Sequence, residues 1–154
     1  MAEPRLHVAL IQPEIGQNAG NAGRLCLGVG ARLHLVHPLG FQTDEKAVRR
    51  AGLDYWRSVD VVEHNDMDAF FRWAEGRPTF LYSALGGAPY TQAPYAPGCV
   101  LVFGRESVGL PADLVRARGG YQIPMPGPIR SLNLSNAVAV AAYAALQHIE
   151  PGLF

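Results

Sequence analysis

Residues 121–145 read YQIPMPGPIRSLNLSNAVAVAAYAA, a stiff loop followed by an apolar helix. Three prolines, Pro124, Pro126 and Pro128, fix the backbone φ angle and remove amide donors, so the loop is predicted to be neither helix nor central strand. Small polar residues of the kinds that cap helices come next: Ser131, Asn133, Ser135 and Asn136. The stretch therefore predicts hydroxyls, amides and free backbone N–H groups around one helix N-terminus, as in a small-molecule pocket. By itself, the composition also fits an ordinary loop before a buried helix.

Short apolar runs alternate with helical segments over the rest of the chain. Strands are predicted at residues 6–11, 33–36, 59–62, 79–83 and 100–103, and helices at 19–29, 44–50, 66–74 and 111–118. Asn18 is the expected N-cap of the first helix, in which Gly20 and Gly23 indicate that something approaches the backbone closely. The alternation predicts a single α/β domain, residues 1–154, built on a parallel sheet whose ligands gather beyond the carboxyl ends of the strands.

The composition narrows the class of protein. Charged residues make up 17% and hydrophobic residues 49% of the chain, which excludes an intrinsically disordered protein. No apolar run reaches the roughly 18 residues that span a membrane, and the N-terminus lacks a signal-peptide pattern. Cys26 and Cys99 have no metal-like spacing, so we expect buried thiols in a cytoplasmic protein. The net charge of zero argues against non-specific nucleic-acid binding, although 12 of the 13 basic residues are Arg, which suits phosphate contacts.

Several familiar sites are excluded by spacing. Gly104 and Gly109 are spaced as in a Walker A loop, but no Lys and Ser or Thr follow. No dinucleotide-binding Gly-x-Gly-x-x-Gly follows a strand. His34 and His37 lie three residues apart around a strand end, where they are expected to be ordinary edge histidines rather than a metal pair. The remaining histidines are scattered in the sequence, and no Ser-His-Asp set or nucleophile elbow can be assembled.

Two further stretches join residues 121–145 in a recognisable set. They are PEIGQNAGNAGR at residues 13–24 and LVFGRESVGLP at residues 101–111. Together the three stretches resemble the signature motifs of the SPOUT methyltransferases, and the resemblance runs over nearly the whole chain. It is nearest to the compact TrmL-type enzymes, to which the segment RRAGLDY at residues 49–55 is also similar. The resemblance implies a deep trefoil knot formed by residues 104–154, S-adenosylmethionine as cofactor, and methylation of the ribose 2′-OH of tRNA nucleotide 34, the cytidine or uridine at the wobble position.

The resemblance also implies roles for individual residues. The implied catalytic residues are Asn18, Arg24, Glu106, Ser131 and Asn133. The implied cofactor-binding residues are Tyr82, Gly86, Gly104, Ile123, Met125 and Ser131, and the implied substrate-binding residues are Arg49, Arg50, Arg57 and Tyr143. Each also has a simpler interpretation. Asn18 and Asn133 are helix-capping types, Glu106 follows a strand, and a tyrosine in mid-helix such as Tyr143 is usually in the core. The arginines are of a kind that commonly forms solvated helix faces and surface ion pairs.

The resemblance further implies a homodimer, whose two chains complete each active site and bind the anticodon stem-loop. In the family the arginine corresponding to Arg24 is thought to reach the partner's cofactor site. The final helix carries small side chains at three- and four-residue spacings, which would let two helices approach closely, although packing within one domain explains them equally well.

Three alternatives stay open at the level of the sequence. The substrate is alternatively ribosomal RNA or another tRNA position, and a non-catalytic RNA-binding protein on the same fold is the competing class. The motifs do not specify which tRNAs are chosen, whether a neighbouring modified base is needed, or which group accepts the hydroxyl proton. No metal is implied, because the sulfonium of the cofactor is already activated.

Overall fold

The computed structural model describes residues 3–43, 46, 48 and 55–154. Its strands are β1 (Leu6–Ile11), β2 (Ala31–Val36), β3 (Val61–His64), β4 (Thr79–Tyr82), β5 (Ala88–Pro89), β6 (Val100–Phe103) and β7 (Tyr121–Gln122). Its α-helices within these ranges are α1 (Gly16–Val29), α2 (Met67–Ala74), α3 (Ala112–Arg118) and α4 (Leu134–Ile149). Short 3₁₀ turns lie at Tyr55–Ser58, Tyr90–Gln92 and Pro151–Leu153.

The strands form one parallel sheet in the order β3-β2-β1-β6-β4-β7-β5. Strand β1 is buried along its whole length and pairs with β2 on one side and β6 on the other. Because all pairings are parallel, the loops that leave the strands gather at one edge of the sheet. The predicted α/β class with a parallel sheet is confirmed.

A helical layer covers each face of the sheet. Helices α1 and α4 share one apolar cluster with the sheet, to which they contribute mainly alanines and valines. Helices α2 and α3 pack on the other face through Phe70, Ala74 and Val115. Both cysteines are buried free thiols in the first cluster, as expected, and burial raises the pKa of the Cys26 thiol to about 12. Among the described residues no helix is long and apolar enough to span a membrane.

Helix α1 begins three residues earlier than predicted. The helix starts at Gly16, its N-cap is Ile15, and Asn18 lies in its first turn. The prediction of Asn18 as the N-cap is therefore wrong, because its side chain is engaged elsewhere, as described below. The predicted end is confirmed, since Gly30 has a left-handed φ of 77° and donates its N–H to the carbonyl of Cys26.

The predicted close approach to the backbone of α1 is confirmed at Gly23. A Cβ atom on Gly23 would lie 2.7 Å from the indole of Trp56, whose 3₁₀ turn packs directly on the helix. The same turn delays strand β3, which starts at Val61 rather than residue 59, because the N–H of Val59 donates to the carbonyl of Trp56.

Helix α4 has the cap that the sequence predicts. Asn133 is its N-cap, and its Oδ1 accepts from the backbone N–H groups of Ser135 (3.0 Å) and Asn136 (3.4 Å). Tyr143 is 49% exposed, so its interpretation as a core residue is wrong. The helix expected at 44–50 falls mostly outside the described residues, and the knot of residues 104–154 stays a prediction.

Candidate active site

A cavity of about 590 Å³ opens at the carboxyl edge of the sheet. The loops after β4 and β6 meet there with the start of α1 and the segment before α4. Its volume is in the range of small-molecule sites. Seven residues singled out from the sequence line it: Asn18, Tyr82, Gly104, Glu106, Ile123, Ser131 and Asn133. The fold thus brings all three motif stretches to one cavity.

Glu106 ties the second motif to the first. Its carboxylate accepts hydrogen bonds from the backbone N–H groups of Glu14 (2.7 Å) and Ile15 (2.9 Å) and from the side-chain amide of Asn18 (3.1 Å). A negative charge at this end of α1 also interacts favourably with the helix dipole. The three donors occupy the carboxylate, so Glu106 positions α1 against the loop after β6 rather than lying free in the cavity.

A second hydrogen bond joins the same two segments in the opposite direction. The carboxylate of Glu14 accepts the backbone N–H of Ser107 at 2.9 Å. Hydrogen bonds from the side chain and backbone of Ser107 lower the pKa of Glu14. Two adjacent pairs therefore hold the segment before α1 and the loop after β6 in a fixed relation.

Asn133 ties the third motif to the first. Its Nδ2 donates to Oδ1 of Asn18 at 3.0 Å, while its own Oδ1 caps α4. Asn18, which is buried, thus accepts from Asn133 and donates to Glu106. These two asparagines thus join three segments that are distant in sequence, namely the start of α1, the loop after β6 and the N-cap of α4, in one hydrogen-bonded unit.

Tyr82 and Phe103 form an aromatic wall of the cavity. Their rings stack with centroids 4.7 Å apart and planes 7° from parallel. The hydroxyl of Tyr82 lies 2.8 Å from that of Tyr95, which in turn donates to the carbonyl of Tyr90. Burial raises the pKa of both phenols, that of Tyr95 to about 12, so the pair stays neutral and cannot accept a proton from a substrate at neutral pH.

Gly104 lines the cavity, but a side chain at this position is excluded by neighbouring backbone atoms. A Cβ atom there would lie 2.2 Å from the carbonyl carbon of Gly109 and from the nitrogen of Leu110. A side chain at this position would collide with the turn of residues 105–110. Gly104 therefore lets this turn fold back on the end of β6.

Two of the predicted cofactor residues do not line the cavity. Gly86 is buried with its Cα against the backbone of Tyr121, where a Cβ atom would approach within 2.5 Å. Met125 is partly buried in the proline loop outside the lining. Two residues that the sequence did not single out, Arg105 and Arg130, do line it. Both lie inside motif stretches, but no local pattern distinguishes them from surface arginines.

Arg24 lies away from the cavity of its own chain. It is exposed, and its guanidinium is 5.6 Å from the ring centroid of Tyr55. It follows Asn18 by six residues, which places it about 9 Å further along the helix and about 240° around it. Within one chain, Arg24 and Asn18 therefore face in different directions.

The predicted substrate-binding residues are only partly described. Arg57 is exposed on the 3₁₀ turn beside α1. Tyr143 is exposed on α4. Arg49 and Arg50 lie outside the described residues.

A second polar cluster lies on the α2 side of the sheet. The rings of His7, His34 and His64 form a chain, with nitrogen–nitrogen distances of 2.9 Å and 2.8 Å, and Trp73 packs against all three. His34 is 1% exposed, so the prediction that it is an edge histidine is wrong. Burial, with the nearby Arg77 and Arg32 charges, lowers the pKa of His7 to about 4. Burial, with the neighbouring His7 and His64 rings, lowers the pKa of His34 to about 2. Within the described part of the chain, no group of His, Cys, Asp or Glu side chains is arranged to hold a metal ion.

Comparison with known proteins identifies the family. Residues 5–143 match the model of the SpoU rRNA Methylase family. The chain belongs to this family. The SPOUT resemblance found in the motifs is thereby confirmed, and so is the expectation of a methyltransferase.

Similar proteins agree on the type of enzyme. The chain is 41% identical over 147 residues to the tRNA (cytidine(34)-2'-O)-methyltransferase of Escherichia coli K12, covering 94% of each chain. A solved structure described as giving insights into the 2-OH methylation of C/U34 on tRNA is 45% identical, with a TM-score of 0.90 over 96% of this chain and 97% of that one. The AdoMet-bound rRNA methyltransferase of Sinorhizobium meliloti is 26% identical, with a TM-score of 0.85 over 96% of this chain but 57% of that one.

Proposed function

We propose that the protein is a tRNA 2′-O-methyltransferase that uses S-adenosylmethionine to methylate the ribose of nucleotide 34, a cytidine or uridine. The observation that carries the proposal is the hydrogen-bonded unit of Asn18, Glu106 and Asn133 at one cavity, in a chain similar over almost its full length to enzymes of this specificity.

The chemistry of the cavity lining suits this cofactor. Ile123, Leu110 and Leu134 provide apolar walls for a purine, and Ser131 provides a hydroxyl of the kind that binds a ribose or an amino-acid group. Tyr82 and Gly104 also line the cavity, while Gly86 and Met125 would act from outside the lining. When bound, S-adenosylmethionine supplies a methyl group that is activated by the sulfonium charge.

The protein's own contribution is positional and electrostatic. A ribose hydroxyl is weakly acidic, so its oxygen must be held close to the methyl group and its developing negative charge must be stabilised. Arg24 is permanently charged and suits this second task, but it lies outside the cavity of its own chain. We therefore assign it to the cavity of a partner chain in a homodimer.

A homodimer also suits the RNA partner. Pairing two chains would join exposed Arg57 of one chain with that of the other in a wider basic surface despite the net charge of zero. Arg49 and Arg50, which lie outside the described residues, are proposed to bind the same RNA. Exposed Tyr143 lies on α4, where it would contact the partner or an anticodon stem-loop. A cytoplasmic location fits the buried free thiols.

Ribosomal RNA is the second candidate substrate. The family to which the chain belongs is named for rRNA methylation, and a structural relative at 26% identity is an rRNA methyltransferase. That relative is much longer than the matched region, whereas the chain at 45% identity has nearly the same extent as this one. The tRNA substrate is therefore preferred.

The test is methyl transfer with defined RNA. Purified protein is incubated with radiolabelled S-adenosylmethionine and either tRNA transcripts or ribosomal RNA, and the products are digested and analysed by mass spectrometry. We expect 2′-O-methylated cytidine or uridine at position 34. Transcripts with a 2′-deoxy nucleotide 34 serve as the matched control and should accept no methyl group. Methylation of ribosomal RNA alone, or no methylation of any RNA, would contradict the proposal.

A further inference from the structure

Arg105 has an unusual environment in the candidate active site. It lies between Gly104 and Glu106, both of which are held in place, and its carbonyl accepts the N–H of Gly109 at 2.8 Å. Its side chain lines the cavity. The backbone therefore holds Arg105 at a defined place in the cavity lining.

The Nε of Arg105 is buried and has no hydrogen-bond partner among the described residues. Buried polar groups in proteins are almost always paired, and an unpaired charged donor is especially unfavourable. Arg105 lies close enough to Glu14 for its charge to contribute to the lowered pKa of that carboxyl. Among the described residues, however, neither Glu14 nor Glu106 forms an ion pair or hydrogen bond with the guanidinium, and both carboxylates accept from other donors. An acceptor from outside the chain is thus expected at this nitrogen.

A second guanidinium borders the same cavity. Arg130 precedes Ser131, is exposed, and forms no ion pair with a described carboxylate. The cavity lining thus holds two guanidinium groups as well as the Glu106 carboxylate, and neither guanidinium forms an ion pair with a described carboxylate. Their planar forks suit a phosphate group, to which each presents several N–H donors.

The acceptor chemistry follows from the shape of a nucleotide. In RNA the 2′-OH and the 3′-phosphodiester stand on adjacent ribose carbons, so a ribose whose 2′-oxygen enters the cavity brings its 3′-phosphodiester with it. We infer that Arg105 and Arg130 bind the phosphodiester on the 3′ side of the methylated nucleotide, with the partly buried Arg105 as the anchor. This inference rests on the proposed function and adds the residues that would position the acceptor ribose.

The test is a double-mutant cycle of RNA binding, in which one charge is removed from the protein and one from the RNA. Arg105→Gln is compared with the wild-type protein for binding of an anticodon stem-loop, in the presence of S-adenosylhomocysteine. The RNA carries either a normal or an uncharged methylphosphonate linkage 3′ to nucleotide 34. We expect Arg105→Gln to weaken binding of normal RNA by about 10- to 100-fold and to lower the salt dependence by about one phosphate contact. The methylphosphonate should weaken the wild-type protein similarly but change the variant less than threefold.

Control variants separate the possible outcomes. Arg116→Gln removes an exposed arginine that pairs with Asp113 on α3, and it should leave RNA binding and salt dependence unchanged. Arg130→Gln should show a smaller loss than Arg105→Gln. Affinity for S-adenosylhomocysteine, measured by calorimetry, should stay within twofold for all three variants.

Two results would overturn the inference. If Arg105→Gln weakens S-adenosylhomocysteine binding tenfold and leaves RNA binding intact, the anion is the carboxylate of the cofactor. If the methylphosphonate lowers the RNA affinity of the wild type and of the variant by the same factor, Arg105 does not contact that phosphate. The cycle measures binding alone, so a wild-type protein that binds the stem-loop without methylating nucleotide 34 would contradict the proposed function separately.

Discussion

Asn133 donates its side-chain amide to Asn18 across 3.0 Å, although 115 positions separate them in the chain. The bond joins the N-cap of α4 to the first turn of α1. Asn18 passes the connection on to Glu106 at 3.1 Å. Two amide side chains therefore connect the segments that form the cavity, and we expect their removal to have separable effects on stability and on activity.

The first prediction separates the two tasks of Asn133. Asn133→Ala should destabilise the protein by about 1 kcal/mol through loss of the cap. Asn133→Ser retains a capping hydroxyl but is too short to reach Asn18, so stability should largely return while methyl transfer stays low. Urea denaturation and initial rates measure the two quantities. Full activity of the serine variant would show that the bond to Asn18 is dispensable.

The second prediction concerns Gly104. Gly104→Ala should cost about 3 kcal/mol or more, because the added carbon would collide with the backbone of Gly109 and Leu110. Gly127→Ala is the matched control, since a Cβ atom on Gly127 has open space. Denaturation midpoints test the comparison. A fully stable Gly104→Ala that fails only to bind S-adenosylhomocysteine would mean that the glycine leaves space for the ligand rather than for the turn.

The third prediction tests Arg24 as a residue that acts across a dimer. Arg24→Ala should bind S-adenosylhomocysteine normally but lose methyl transfer by about 10²- to 10³-fold. Mixing it with inactive Ser131→Ala under conditions that exchange subunits should restore activity, since mixed dimers then contain one intact site. The mixture stays inactive if both residues serve the same chain, and a monomer in sedimentation would refute the dimer itself.

The fourth prediction is a pH dependence of stability. The pKa values of His7 and His34 are lowered to about 4 and about 2, so the unfolded chain takes up protons below pH 6.5 that the folded chain refuses. Stability should therefore fall as the pH is lowered from 7 towards 5, by about 2 kcal/mol for each of these two histidines.

Variants of the histidine chain provide the check. His7→Leu should reduce the pH slope of the free energy of unfolding by about one proton, whatever its effect on absolute stability. Equal slopes for wild type and His7→Leu would mean that this histidine titrates normally in the folded protein.

Local patterns predicted the sheet and helices well, because apolar runs, caps and prolines act over a few residues. The end of α1 at Gly30 and the cap at Asn133 are examples. The start of α1 was misplaced because Asn18 bonds to residues far away in the sequence rather than to its own helix. Resemblance, rather than spacing, identified the residues that meet at the cavity.

Features that depend on strand register or on chain crossing were not predictable in this way. His7 and His34 contact each other because β1 and β2 pair with Ala9 opposite His34, and no local signal marks that register. The collision around Gly104 arises from a turn that folds back on the strand before it. The unpaired Nε of Arg105 likewise depends on which acceptors its neighbours have already occupied.

The joining of residues 14–18, 106 and 133 also has a kinetic meaning. Bonds between segments 88 and 115 positions apart close only after a large loss of chain entropy, which makes folding slow. During synthesis the sheet can begin to form around β1 before the segment that completes the pocket has been made. The pocket is thus expected to be among the last features to form during folding. A cofactor that binds this pocket would stabilise only chains that have folded completely.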